Sequence, residues 1–215
     1  MLFLVCVIAT TTSCNDMDKI HEQYLDGEII YSGKLDTLLI RPGVYRAQLE
    51  AYTHLLGNSN KVIVEFDNRT EIYNIESDVP EIYSVIIENL DEDFYEFDVI
   101  TQDQEGNLSI PQTVSGFAVG DNFVGDQQPR EVNDFTFETD GNYVNFFGNA
   151  ESEFVIFTTI DYDNENNDIV RDTLFFEDDK VKLIDFLPLG NLTTQSYIQS
   201  GIRGIDTIAL EPVSY

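Results

Sequence analysis

The sequence is poor in the residues that most often build catalytic and metal sites. Its 215 residues include no tryptophan, two histidines and two cysteines. Zinc sites need clusters of histidine and cysteine, and a serine or cysteine nucleophile needs a base beside it. Neither His21 nor His54 has such a partner at motif spacing, and the P-loop, G-x-G-x-x-G and G-x-S-x-G motifs are absent. We therefore predict that the protein is not an enzyme and binds no cofactor.

Positive charge is also scarce, and its shortage excludes another class of function. The chain has 11 lysine and arginine residues against 40 aspartate and glutamate residues, which gives a formal net charge of −29. Both halves are acidic and would repel a phosphate backbone, so we predict no nucleic acid partner. With 11 tyrosines and 15 phenylalanines, the chain has enough aromatic residues to fold rather than remain disordered.

The sequence has no apolar run long enough to cross a membrane. Residues 2–9, LFLVCVIA, fall short of the roughly 20 residues that a spanning helix needs, but they fit the apolar core of a secretory signal. The small residues that follow, and then Cys14, resemble the bacterial lipobox, in which the cysteine is lipidated and begins the mature chain. This interpretation makes 1–13 a lipoprotein signal peptide, Cys14 the lipid attachment site and 14–27 a tether. The alternative is a buried structural cysteine.

Alternation of apolar and polar residues dominates the rest of the chain. In residues 44–52, Tyr45, Ala47, Leu49 and Ala51 share one face and polar side chains share the other. A period of two predicts strands with one buried face, and about seven short strands per hundred residues indicate an all-β sandwich fold. No window predicts a long helix. Further strands are predicted at 28–33, 36–40, 61–66, 71–75, 82–88, 94–101, 133–139, 143–147, 153–160, 172–177, 180–187, 196–200 and 206–211.

Two pairs of similar segments indicate a tandem duplication. PGVYRAQLEAY aligns with DGNYVNFFGNA, which pairs Gly43 with Gly141, and IIENLDEDFYEF aligns with LIDFLPLGNLTT, which pairs Leu90 with Leu187. The two offsets, 98 and 97 residues, are nearly equal. We therefore predict one domain at 28–119, a linker at 120–131 and a second domain at 132–215.

Residues 89–111, NLDEDFYEFDVITQDQEGNLSIP, resemble the end of a fibronectin type III domain. Leu90 precedes the turn, Tyr95 opens the penultimate strand, and 103–109 forms the hairpin to the last strand. This resemblance predicts that Tyr95 forms a tyrosine corner, in which its hydroxyl binds backbone a few residues upstream.

The pattern after Cys14 is similar to a family of Bacteroidota surface lipoproteins of unknown function with fibronectin type III-like repeats. The matching elements are Asp26-Gly27-Glu28, Ile30-Tyr31, Gly33-Lys34, Asp36 and Pro42-Gly43. The resemblance implies two tandem fibronectin type III/immunoglobulin-like β-sandwiches, lipid-anchored in the outer membrane and facing the cell surface.

This resemblance also sets the functional expectation, which is a non-catalytic outer-membrane lipoprotein that acts as a binding or scaffold module. Such lipoproteins often accompany glycan uptake, so an extracellular glycan is the implied ligand, held by stacking on tyrosine or phenylalanine. The absence of tryptophan counts against strong sugar binding. The alternative is an adhesin or structural surface protein that contacts other proteins.

The strongest metal candidate is the segment DYDNENNDIVRD. Asp161, Asp163 and Glu165 alternate like the first ligands of a calcium loop, and Asp172 stands where the last ligand would be. An exposed hairpin tip explains the same residues equally well. We otherwise predict no metal site.

Asp-Thr followed by an aliphatic residue occurs three times, at Thr37, Thr173 and Thr207. The pattern is similar to the acceptor motif for protein O-glycosylation in Bacteroidota, so these threonines are candidate modification sites. Asp-Thr at the start of a strand is the alternative explanation.

Overall fold

A computed structural model describes residues 30–76, 81–148, 154–187 and 190–215. The predicted signal peptide, Cys14, His21 and the tether lie outside the described residues. In the described part the structure contains strands β1 to β15 and one short helix, α1. No helix in these ranges is both long enough and apolar enough to span a bilayer.

The first sandwich packs a three-stranded sheet on a four-stranded sheet. The strand orders are β1-β2-β5 and β4-β3-β6-β7, and every pairing within the two sheets is antiparallel. Alternation places Leu49, Val64 and Phe97 inside, each fully buried in a core that both sheets share. Strands β1 to β7 are, in this order, Asp36–Gly43, Arg46–Tyr52, Ser59–Phe66, Arg69–Asn74, Ile82–Glu88, Asp93–Asp103 and Gln112–Ala118.

The second sandwich repeats the same strand order. Its sheets are β8-β9-β12 and β11-β10-β13-β14, and β15 pairs with β13 beyond β14, so the last strand of the repeat is split in two. Two tandem fibronectin type III-like sandwiches are therefore confirmed as the fold. Strands β8 to β15 are, in this order, Val132–Glu138, Gly141–Phe146, Val155–Asp163, Ile169–Phe175, Lys180–Leu183, Leu192–Gln199, Thr207–Ala209 and Val213–Ser214.

The inner faces of β6 and β13 align with one constant offset. From Tyr95 in β6 and from Leu192 in β13 every second residue is buried, as expected for strands with one face in the core. The buried positions are Tyr95, Phe97, Val99, Thr101 and Asp103 in β6, and Leu192, Thr194, Ser196 and Ile198 in β13, with Ser200 directly after that strand.

Several strand ends are shifted, as where the strand predicted at 180–187 ends at Leu183, and two further segments differ from the sequence-based prediction. Tyr45 lies in the turn between β1 and β2 with φ of 54°, outside the strand predicted for it. The predicted strand at 28–33 is not formed in its described part, where the chain crosses the end of the sandwich and Ser32 N–H donates to the Leu108 carbonyl at 3.2 Å.

The segment between the sandwiches contains helix α1, Asp121–Gly125, and is bound on both sides. On the first sandwich, the Glu92 carboxylate accepts the N–H groups of Asn122 at 2.9 Å and Phe123 at 2.6 Å. On the second, Phe123 and Val124 pack against a small apolar cluster that contains Val155, Ile198 and Leu210. The first part of the 120–131 segment, predicted as a linker, therefore contacts both sandwiches.

A second contact joins the sandwiches directly. The Asp206 carboxylate accepts Val44 N–H at 2.8 Å and the Arg46 guanidinium at 2.5 Å. Beside it, the Pro42 carbonyl accepts Ile205 N–H at 2.8 Å and the Ser200 hydroxyl at 2.9 Å. The loop between β13 and β14 is therefore held against the end of β1.

Candidate functional site

The outer face of the four-stranded sheet in the second sandwich carries a row of aromatic side chains. Phe175 of β11 lies opposite Phe157 of β10, and Phe157 lies opposite Tyr197 of β13. The Phe157 and Tyr197 rings stack with centroids 4.5 Å apart and planes 18° apart. Phe175 is 56% exposed and the other two rings are half-buried. We name Phe157, Phe175 and Tyr197 the aromatic face.

Strand alternation explains why these rings point outward. On β10 the residues Thr158, Ile160 and Tyr162 are fully buried on the inner face, so Phe157, Thr159 and Asp161 project from the outer face, where Phe157 and Asp161 are half-buried and Thr159 is covered by its neighbours. The same alternation on β11 buries Leu174 and exposes its neighbour Phe175.

Polar side chains form the next row beside the aromatic face. Thr173, Thr159 and Gln195 are neighbours across β11, β10 and β13. The Tyr197 hydroxyl donates to Gln195 Oε1 at 3.1 Å, which fixes the orientation of both side chains. Thr159 is buried and its hydroxyl donates to the Gln195 carbonyl, so the row offers the Thr173 hydroxyl and the Gln195 amide next to apolar ring surfaces.

An ion pair bounds this surface on the far side of the polar row. Arg171 donates two hydrogen bonds to the Asp161 carboxylate, both at 2.6 Å, and the guanidinium lowers the pKa of that carboxyl. The two charges offset each other at this border, on a chain whose net charge is −29. Rings with adjacent hydrogen-bonding groups suit an uncharged ligand that has both apolar faces and hydroxyls.

The first sandwich carries a different surface, an open groove of about 830 Å³ on the outer face of its four-stranded sheet. Four carboxylates line it, and Glu65 lies directly opposite Asp98 on paired strands. At its end, Phe94 pairs across the strands with Phe117, and the two rings are 60% and 42% exposed. Adjacent like charges give this groove a negative potential. The four carboxylates are Glu65, Asp67, Glu96 and Asp98.

The structure does not bring the predicted calcium ligands together. Asp161 pairs with Arg171, whereas Asp163 accepts the backbone and side-chain N–H groups of Asn191 at 3.1 and 2.8 Å. Asp172 accepts the Tyr162 hydroxyl at 3.0 Å, and Glu165 is exposed in the turn. Within the described ranges, no three histidine, cysteine, aspartate or glutamate side chains are placed to hold a metal ion together.

The three candidate threonines share one structural setting. Thr37 of β1, Thr173 of β11 and Thr207 of β14 are all exposed, and each strand lies at the edge of its sheet. Thr173 stands beside Phe175 on the same face of β11.

Two structural expectations concern single side chains. The tyrosine corner is confirmed, because the Tyr95 hydroxyl donates to the Asp91 carbonyl at 3.1 Å, and burial raises the pKa of this tyrosine. His54 is a loop residue whose ring stacks on Tyr52 with centroids 5.6 Å apart. Its Nε2 lies 3.7 Å from a Glu81 carboxylate oxygen.

Comparison with known proteins assigns the family. A family model described as a domain of unknown function, DUF4998, matches residues 14–207, so the chain belongs to this family. No curated protein is significantly similar to it.

Two solved structures are similar in fold. One is a segment of two fibronectin type III domains from chicken tenascin, 16% identical, with a TM-score of 0.33 over 84% of this chain and 97% of that chain. The other holds the FN1–FN3 domains of chicken CNTN1, 11% identical, with a TM-score of 0.46 over 86% of this chain and 65% of that chain. The fold assignment itself rests on the strand order and pairing described above.

Proposed function

We propose that this member of the DUF4998 family is a non-catalytic binding module, anchored to the outer membrane by a lipid on Cys14 and facing the cell surface, with an extracellular glycan as its ligand. The observation that carries the ligand class is the aromatic face with its polar row. Pyranose rings have apolar C–H faces that stack on aromatic rings and hydroxyls that pair with groups such as those of Thr173 and Gln195.

Three features of this surface support a neutral glycan rather than a charged ligand. The Asp161–Arg171 pair removes net charge at its border. The stacked Phe157 and Tyr197 rings are held in place before any ligand binds, which reduces the entropy lost on binding. The rings lie in a row across three paired strands on the outer face of a sheet, an arrangement that suits an extended polymer better than a small molecule. Phenylalanine and tyrosine are smaller than tryptophan, so the expected affinity per site is modest.

The test is a glycan array probed with the chain and two variants. Phe175→Ala removes an exposed ring of the aromatic face and should lower affinity for the bound glycan about threefold to tenfold. Phe94→Ala, which removes an exposed ring from the first sandwich, is the matched control and should leave binding unchanged. Equal loss in both variants, or no glycan bound by the chain, would rule out the aromatic face as a glycan site.

The anchor has its own test. Wild-type chain should incorporate labelled fatty acid, partition into detergent and mature with Cys14 first, while Cys14→Ala should do none of these and still fold. Cys6→Ala is the matched control and should behave as wild type. Protease treatment of intact cells should then degrade the anchored protein if it faces outward.

The alternative function is an adhesin or structural surface protein, and the groove of the first sandwich favours it. Its four carboxylates would attract a positively charged protein surface, and Phe94 and Phe117 would supply apolar contact. In a binding assay with a protein partner the roles of the two variants reverse, since Phe94→Ala should weaken binding and Phe175→Ala should not.

The proposal includes O-glycosylation at Thr37, Thr173 and Thr207, and their exposure on edge strands supports access by a modifying enzyme. Intact mass measurement of the chain and of the three Thr→Val variants tests each site. At Thr173 modification and glycan binding exclude each other, because a sugar attached there would cover the aromatic face, so the mass of the mature chain decides which of the two roles Thr173 has.

A further inference from the structure

The end of the first sandwich where the described chain begins is unusually apolar. Five large apolar side chains there are about half exposed or more, and they come from three segments that meet at this end. The backbone joins these segments, since Ser32 N–H donates to the Leu108 carbonyl at 3.2 Å and Lys34 N–H donates to the Leu55 carbonyl at 2.9 Å. We name this group the amino-terminal collar. It consists of Ile30 at 59% exposure, Tyr31 at 57%, Leu55 at 53%, Leu108 at 45% and Ile110 at 63%.

The opposite end of the same sandwich is already covered. There, Val44 and Arg46 hydrogen-bond to Asp206 of the second sandwich, and Glu92 binds the start of α1. These contacts place the second sandwich at the opposite end of the first sandwich from the collar.

We infer that the amino-terminal collar rests on a lipid bilayer surface. Fifteen residues separate Cys14 from Ile30, and the chain between the two reaches at most about 58 Å when fully extended, so a lipid on Cys14 limits how far the collar can stand from the membrane. Aliphatic side chains and a tyrosine are suited to the boundary between headgroups and acyl chains, where one side is apolar and the other is wet. The inference rests on the proposed anchor at Cys14.

The charged side chains around the collar determine which lipid headgroups it can contact favourably. Glu76, Glu81 and Glu105 are exposed at this end and Lys34 is an exposed cation beside them. Anionic headgroups would repel this excess of carboxylates, so the collar fits a zwitterionic surface better than an anionic one. With the collar on the membrane, the second sandwich and its aromatic face point away from the bilayer.

The absence of tryptophan from the chain makes a direct test possible. The chain from Cys14 to Tyr215 has one thiol, which is coupled to a maleimide lipid in phosphatidylcholine vesicles that carry brominated acyl chains. Ile110→Trp and Tyr31→Trp place a reporter in the collar. Ile169→Trp, at a residue 76% exposed on the second sandwich, is the matched control.

The two collar reporters should lose most of their emission to the brominated lipid, and the Ile169→Trp reporter should keep its own. Anionic lipid in the vesicles should reduce the quenching. Unquenched collar reporters would show that the collar stands clear of the bilayer or is covered by the preceding segment. Equal quenching at all three positions would mean that the chain lies on its side, and either result overturns the inference. Because the coupling is chemical, failure of natural lipidation at Cys14 would not affect this readout.

Discussion

At the scale of the single residue, the Tyr95 hydroxyl ties the end of β6 to the turn before it. Tyr95→Phe keeps the buried ring and removes one hydrogen bond to the Asp91 carbonyl, so it should lower the free energy of unfolding by about 1 kcal/mol. Tyr143→Phe, which removes an exposed hydrogen bond to Asp140, is the control and should cost less than about 0.5 kcal/mol. Urea titration followed by circular dichroism measures both, and equal effects would contradict a specific role for the corner.

A second residue-scale prediction concerns how the Asp103 carboxylate affects stability at low pH. Asp103 accepts the side-chain amide of Asn107 at 2.8 Å and the backbone N–H groups of Asn107 and Glu105, and these hydrogen bonds lower its pKa. A lowered folded-state pKa means that this carboxylate stabilises the fold fully above its ordinary pKa of about 3.9, and that the stabilisation is lost as pH falls through the lower value.

Asp103→Asn removes that titration. The melting temperature of wild type should therefore fall more steeply below about pH 4 than that of Asp103→Asn, while the variant is the less stable protein at neutral pH. Thermal melts across this range measure the difference. Parallel curves would show that the hairpin carboxylate does not titrate with folding.

At the scale of the element, helix α1 depends on a residue outside it. Glu92 accepts two N–H groups of its first turn, which have no partner within the helix. Glu92→Ala should release this segment and increase cleavage at 120–131 in limited proteolysis, whereas wild type should be cut slowly there. Glu96→Ala, an exposed carboxylate on β6, is the control. Rapid cleavage of wild type at 120–131 would show that this segment is accessible and that the Glu92 contact does not hold it.

The elements also show where prediction from the sequence succeeds. Alternation is a local property, so it identifies Ala47, Leu49 and Ala51 as inward-facing, and all three are buried. Helix α1 has five residues, too few for a helical periodicity to be visible. Tyr45 matches the alternation of β2 and yet lies in the turn, because its hydroxyl and backbone contact the end of β7 and the start of α1.

The aromatic face marks the limit of such prediction. Its residues fall within predicted strands or next to one, but Phe157 and Tyr197 are neighbours only because β10 pairs with β13 in one register. A shift of one residue would place different side chains opposite each other, and nothing local to either strand sets that register. The same holds for Arg46 and Asp206, which are 160 residues apart in the chain.

At the scale of the whole molecule, two polar contacts on separate segments hold the sandwiches at one angle. In one contact, the Glu92 carboxylate of the first sandwich accepts N–H groups of α1. In the other, the Asp206 carboxylate of the second sandwich accepts Val44 N–H and the Arg46 guanidinium. A single contact leaves a hinge, whereas two contacts at different places remove the remaining rotation. The two sandwiches should therefore tumble as one body in solution.

The double variant Glu92→Ala/Asp206→Ala tests this arrangement. Each single change should leave the sandwiches largely aligned, because the other contact and the apolar packing of Phe123 remain. Together they should loosen the arrangement more than either change alone, while the hydrogen bonds to the Pro42 carbonyl and the packing of Phe123 remain. NMR relaxation would record the loosening as shorter correlation times and X-ray scattering as a broader distribution of maximum dimensions. The double effect should exceed the sum of the single effects, since the contacts constrain the same motion. Additive effects, or a wild type whose two halves already tumble separately, would mean that the contacts do not set the angle.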